Sequence, residues 1–193
     1  MCIRDSNGGA TLVDAKYFYC ITYTKLSGTT ISNELICYDI ESWTEVSRKA
    51  IPLTTISTDM TWNPADQKVY GAFYNTTKNG YVFGTLDLET GAVNKLSDIT
   101  LQDDKGYPAG FVVIAANSIG EVYGISQMGD LYKFNTEDGS YSLIGATGYT
   151  PLYQQSGCFD FTTKQLYWAA CNENSSGIYQ VNTDTGEATL LGS

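Results

Sequence analysis

Apolar and polar residues alternate with a period of two along most of the chain, in short stretches rich in Tyr, Phe, Val, Ile and Thr. Polar clusters containing Asp, Asn, Gly or Pro separate these stretches, which is the pattern of half-buried antiparallel strands joined by tight turns. Nowhere do apolar residues keep a spacing of i, i+3, i+4 and i+7 through the roughly ten residues that a helix needs. The alternation itself repeats in groups of four strands, A to D. In the second group A is Asp59-Met60-Thr61-Trp62, B runs from Lys68 to Tyr74, C from Tyr81 to Leu88 and D from Ala92 to Ile99. The third and fourth groups keep the order, with B strands Glu121-Val122-Tyr123-Gly124-Ile125 and Gln165-Leu166-Tyr167-Trp168-Ala169.

A turn phrase marks the period. It reads Tyr38-Asp39-Ile40-Glu41-Ser42-Trp43, Leu86-Asp87-Leu88-Glu89-Thr90-Gly91, Phe134-Asn135-Thr136-Glu137-Asp138-Gly139 and Val181-Asn182-Thr183-Asp184-Thr185-Gly186. The Asp or Asn recurs at spacings of 48, 48 and 47 residues. An Asx side chain can hydrogen-bond the backbone ahead of it, and a Gly four residues later accepts positive φ without steric cost, which suits a short C–D hairpin loop. Four-stranded units of this length in tandem predict an all-β chain: a β-propeller of four antiparallel blades at 10–51, 58–99, 109–148 and 156–193. Blade one is the loosest copy, with Trp43 in place of the Gly. Its B–C connection, Lys25 to Asn33, reads as a long loop.

Two further expectations concern the ends. Met1-Cys2-Ile3-Arg4-Asp5-Ser6 resembles adapter-derived sequence at the start of chains translated from assembled environmental reads, so 1–9 is expected to be a disordered or artefactual leader. The lack of an export signal then carries no weight. No blade is shared between the two ends, which predicts an arc of a larger propeller whose remaining blades belong to the same polypeptide.

Composition narrows the function. With 21 acidic and 11 scattered basic residues and a net charge of −10, the chain lacks the basic patch that displaces counterions from nucleic acid, so no nucleic-acid partner is expected. No apolar run approaches the roughly 20 residues of a membrane helix, and no membrane insertion is expected. There is no His, which removes imidazole-dependent hydrolysis and most zinc and non-haem iron sites. Five cysteines form no Cys-x-x-Cys pair, and Cys20/Cys37 and Cys158/Cys171 fall on neighbouring strands, where either disulfides or small buried thiols fit. No calcium-loop or phosphate-loop pattern is present, so neither metal nor cofactor is expected. Asn75-Thr76-Thr77 and Asn174-Ser175-Ser176 match the glycosylation tripeptide, a pattern that polar loops produce by chance.

The phrases Gly157-Cys158-Phe159-Asp160-Phe161-Thr162-Thr163-Lys164-Gln165-Leu166-Tyr167 and Ile178-Tyr179-Gln180-Val181-Asn182-Thr183-Asp184-Thr185-Gly186 resemble blades of bacterial propellers of the YVTN and quinoprotein-like type. Secreted or surface proteins of Bacteroidetes carry similar units. The resemblance implies a fold and an extracellular, cell-surface or periplasmic location, and it implies little about chemistry.

Loops at the channel mouth of a propeller, the D–A links and the B–C hairpins, are where a ligand would dock. They gather Tyr107, Tyr149, Tyr153, Gln154, Asn172 and Glu173 as candidate ligand-binding residues, a mixture of rings, amides and a carboxylate suited to carbohydrate or to a protein segment. For Tyr149 and Tyr153 the competing role is to plug the groove between blades, and for Tyr70, Tyr123 and Tyr167 packing is the expected role. The leading expectation is a non-enzymatic binding or scaffold domain of an exported bacterial protein, with no catalytic residue assigned. The alternative is part of a propeller enzyme, a carboxylate-dependent glycosidase or lyase. Such an enzyme needs two suitably placed acids. Within this chain the acidic pair Asp103-Asp104 and the lone A-strand acid Asp59 are the candidates, and the remaining catalytic groups would lie in blades outside it.

Overall fold

The computed structural model describes residues 4–26 and 29–193, and the side chains of all of these except 4–7, 25–26 and 29–31. Its strands form four separate antiparallel sheets, each a meander of four consecutive strands. Blade one holds β1 (Arg4–Val13), β2 (Tyr17–Leu26), β3 (Thr29–Asp39) and β4 (Thr44–Ala50). Blade two holds β5 (Thr55–Asn63), β6 (Lys68–Asn75), β7 (Gly80–Leu86) and β8 (Val93–Ile99). Blade three holds β9 (Phe111–Ala116), β10 (Val122–Ser126), β11 (Asp130–Phe134) and β12 (Tyr141–Ala146). Blade four holds β13 (Ser156–Asp160), β14 (Gln165–Cys171), β15 (Ser176–Val181) and β16 (Ala188–Gly192). The first strands β1, β5, β9 and β13 lie innermost, each touching the next, and the arrangement is that of a four-bladed β-propeller.

Because both faces of blades two and three meet another blade, the period-two alternation there distributes apolar residues between two neighbours rather than between core and water. On β6, Val69 and Phe73 face blade one while Tyr70 and Ala72 face blade three. On β10, Val122 faces blade two while Tyr123 and Ile125 face blade four. Each successive junction thus owns an apolar cluster. Val13, Ile21 and Leu35 meet Met60, Val69 and Phe73 at the first. Tyr70 and Phe83 meet Phe111 and Phe134 at the second, with Phe83 and Phe134 stacked at 4.0 Å. Tyr123, Ile125 and Leu131 meet Leu166, Trp168 and Val181 at the third. Among the described residues no apolar cluster joins blade four to blade one. Gln154 Nε2 donates to Tyr23 Oη at 3.3 Å between them.

The turn phrase behaves as its residue types dictate. Asp87 Oδ1 accepts the N–H groups of Glu89 and Thr90 at 2.8 Å, and Asn182 Oδ1 those of Asp184 and Thr185 at 2.8 and 3.1 Å. The closing Gly has a second duty that the turn alone does not explain. Gly139 and Gly186 have φ of 75° and 88°, and a Cβ on them would lie 2.7 Å from Leu96 Cβ and 2.5 Å from the Gly145 carbonyl oxygen. Each C–D turn is therefore pressed onto the D strand of the preceding blade. Ser97 Oγ donates to the Gly139 carbonyl at 2.6 Å across the same contact. Trp43, in blade one, adopts φ of 52° without such a neighbour and is 66% exposed.

Some boundaries differ from the alternation. β1 begins at Arg4 rather than near Ala10, pairing Arg4–Asn7 with Thr22–Lys25 ahead of a bulge at the two glycines that follow. Met1–Ile3, including Cys2, lie outside the described residues. The segment expected as a long B–C loop is largely strand, because Thr29, Thr30 and Ile31 are β-branched and continue the hairpin arms of β2 and β3. Its tip, Ser27 and Gly28, lies outside the described residues. Cys20, Cys37, Cys158 and Cys171 are free thiols. Cys20 pairs with Ile36 and Cys37 with Tyr19, so the first two point to opposite faces of their sheet.

Candidate functional site

The B–C hairpins of blades two and three and the D–A links that lead into blades three and four surround a cleft of about 960 Å³. Its walls are Ile56, Thr58, Tyr74, Thr76 and Tyr81 from blade two, Phe111, Val112, Gln127 and Met128 from blade three, and Asp103, Asp104 and Thr150–Gln154 from the links. Apolar floor, aromatic sides and a few polar groups at the rim are the usual make-up of a small-molecule site.

Tyr74 is next to last on β6 and Tyr81 lies directly across from it on β7, so the strand register itself sets the two rings side by side, 4.9 Å apart and tilted by 52°. Tyr74 Oη donates to Asn79 Oδ1 at 2.5 Å, which ties the ring to its own hairpin loop. Gln127 bridges the next blade to this pair. Its Oε1 accepts the Gly110 N–H at 3.1 Å and its Nε2 donates to Tyr81 Oη at 3.4 Å. Burial pushes the Tyr81 phenol up, so it stays a neutral donor and acceptor at ordinary pH.

Tyr153, which also lines the cleft, is 68% exposed and has φ of 72°. A bulky residue in the left-handed region costs of order 1–3 kcal/mol and persists only where its surroundings demand it. The surroundings are visible. Leu152 N donates to the Cys171 carbonyl at 2.9 Å, and buried Gln155 donates through Nε2 to the Leu152 and Cys171 carbonyls at 2.8 and 2.5 Å. Tyr153 is held between two clamped neighbours and turned outward. Gln155 Oε1, buried, has no partner.

The candidates named from the sequence separate into three groups. Tyr153 and Gln154 line the cleft. Tyr149 packs its ring on Trp168 and Tyr179 at 5.4 and 5.0 Å and donates through Oη to the Ser175 carbonyl at 2.8 Å, and Asn172 Oδ1 closes the hairpin loop by accepting the Asn174 and Ser175 N–H groups. Tyr107, 64% exposed, and Glu173, also exposed, stand outside the cleft walls. Tyr74, Tyr81 and Gln127 were not singled out in the sequence. Their signal was a pair of tyrosines flanking a short B–C hairpin on the loop-bearing face.

The acids are arranged for structure. Asp103 Oδ1 caps its turn by accepting the Lys105 and Tyr107 N–H groups at 2.9 and 2.8 Å. Asp59 is 1% exposed, away from the cleft walls, and its Oδ2 accepts the Ile114 N–H at 2.8 Å across the junction of blades two and three. Burial pushes its carboxyl well above the usual range, against the opposing effect of the Ile114 and Met60 N–H groups. Among the described residues no cluster of three or more metal-ligating side chains occurs. Among the described residues no helix is long and apolar enough to cross a membrane.

No protein-family model and no curated protein matches the chain. Solved structures do. A protein of unknown function from Bacteroides thetaiotaomicron superposes with a TM-score of 0.63 at 11% identity, over 97% of this chain and 46% of that one. Another protein of unknown function, from Bacteroides caccae, gives 0.57 at 13% identity over 96% and 60%. A chain of a nidogen/laminin complex gives 0.60 at 17% identity over 83% and 57%. The chain spans about half the length of these structures, and at such identities the likeness is one of fold.

Proposed function

We propose that the chain is a non-enzymatic ligand-binding propeller of an exported bacterial protein, and that its cleft takes a carbohydrate. The observation that carries this reading is Tyr153, an exposed ring held in a left-handed backbone conformation in the same cleft as the Tyr74–Tyr81 pair. Two aromatic walls offer apolar faces for sugar C–H groups, while Gln127, Gln154 and the rim carboxylates take hydroxyls. The lining contains no Lys or Arg, which favours a neutral ligand over an anionic one. A catalytic reading finds no support in the acids: Asp103 is engaged in its turn and Asp59 is buried between blades.

The test is a glycan array followed by calorimetry with the best glycan. Tyr153→Ala should weaken binding by up to about tenfold, the worth of one aromatic contact of roughly 0.5–1.5 kcal/mol. Tyr107→Ala, outside the cleft, should leave affinity unchanged. No glycan bound at millimolar concentration, or equal loss in the two variants, would remove the proposal.

A further inference from the structure

The face of blade four that points away from blade three repeats, position for position, a surface that the chain covers three times elsewhere. At the centre of the third strand of each blade, on the side toward the following blade, stand Leu35, Phe83 and Leu131, which are 2%, 0% and 0% exposed. Cross-strand pairing assigns Ile178 to the same place: it lies opposite Ala169, as Leu35 lies opposite Ile21, Phe83 opposite Ala72 and Leu131 opposite Ile125. Ile178 is 47% exposed, and Ala169 is exposed where Ile21, Ala72 and Ile125 are sealed. Tyr167, in the register of buried Tyr70 and Tyr123, shares this open face with exposed Cys158, its partner on β13.

The outer strand tells the same story. The preceding blade receives a C–D turn at Leu96–Ser97 on β8 and at Gly145 on β12. In β16 the matching positions are Leu191 and Gly192; Leu191 is 54% exposed, and a Cβ on Gly192 would meet nothing within 4 Å. The turn that fits such a strip must end in Gly, because a Cβ there meets the strip at 2.5–2.7 Å in the junctions that glycines 139 and 186 make. Blade one carries Trp43 at this point, so a second copy of the chain does not offer a fitting face.

We infer that the open face of blade four is a docking surface for a further four-stranded blade of this same repeat, joined in series and carrying Gly at the end of its C–D turn. Continuity with the three internal junctions supplies the geometry: a tyrosine and an aliphatic residue on the second strand, an apolar residue on the third, a Gly turn against the fourth. In a repeat array, stability is a sum of unit and nearest-neighbour interface contributions, so covering this face should stabilise blade four in particular.

The experiment compares the 193-residue chain with the same chain extended after Ser193 by a second copy of residues 147–193 in which Cys158→Ser leaves the original Cys158 as the thiol that is read. Cys158 labelling by a maleimide, read by peptide mass spectrometry, reports the face directly, and thermal unfolding reports the interface. The extended chain should label at Cys158 at least about tenfold more slowly and unfold roughly 5 °C higher. The extended chain with Gly186→Trp in the added copy should regain the fast labelling. Unchanged Cys158 labelling in the extended chain overturns the inference. So does protection of Cys158 in the 193-residue chain alone, accompanied by a dimer in light scattering, because the occupant would then be a second copy.

Discussion

Asp59 is a buried acid whose acceptor role is visible and whose carboxyl, among the described residues, has no cation beside it. Oδ2 takes the Ile114 N–H at 2.8 Å, the Met60 N–H also bonds the carboxylate, and the Cys158 thiol is the other titratable group that feels it. Removing the acceptor strands buried donors, at about 1–3 kcal/mol. For a domain of this size each kcal/mol is about 2–4 °C, so Asp59→Ala should lower the melting temperature by about 2–12 °C.

Asp59→Asn isolates the charge. Burial raises the folded-state pKa above an unfolded value near 3.9, so the folded chain holds a proton that the unfolded chain releases. The stability this group contributes is full below the unfolded pKa and is lost as pH rises toward the folded one. Within that window wild-type stability falls, relative to Asp59→Asn, by about 1.4 kcal/mol per pH unit. Melting both proteins from pH 4 to pH 8 by circular dichroism checks this. The difference should shift in favour of Asp59→Asn with rising pH, and other carboxylates cancel because both proteins carry them. A difference that stays flat, or that moves toward the wild type, would refute the claim that Asp59 folds as a neutral acid.

Two other expectations follow from the junctions. Gly139→Ala should cost about 2–4 kcal/mol, combining left-handed strain with a clash on Leu96 and Ser97, while Trp43→Ala should change chemical-denaturation midpoints little, by under about 1 kcal/mol. Glu121, bonded by Lys133 Nζ at 2.7 Å and by Asn117 and Tyr123, has its pKa lowered chiefly by Lys133. Its contribution is present above the unfolded carboxylate range and lost as pH falls through the folded value. Glu121→Gln should therefore flatten acid unfolding slightly, by under about 1 kcal/mol for a partly exposed pair, as read from urea midpoints at pH 3–6.

What was legible in the sequence was whatever the repeat enforces. The Asx residue, the Gly four positions on and the Tyr of the second strand recur because every junction needs the same turn, the same close approach and the same flat filler. Their spacing therefore gave blade number and strand order. The cleft obeys no such repetition. Tyr153 and Gln154 come from a link whose conformation depends on Gln155 clamping two carbonyls, one of them 16 residues away in the chain. Tyr74 and Tyr81 look like ordinary strand ends until the hairpin register sets them side by side. Tyr149 and Asn172 sit on the right loops but turn inward, because Trp168 and the hairpin N–H groups offer them better partners than solvent does.

The departure at Trp43 is where sequence and structure inform each other most. A Gly that served only the turn could be replaced by Asn or Asp with modest strain, since those residues tolerate the left-handed region. The other three blades nevertheless keep Gly, and in each a Cβ would strike the preceding blade. Blade one keeps the Asp39 cap and the positive φ but carries an indole, which rests near Phe18 at 6.2 Å. The turn is thus conserved as a turn and released as a contact. That difference separates the two outer faces of the array: blade four presents a strip shaped for a Gly turn, and blade one presents a turn that cannot enter such a strip.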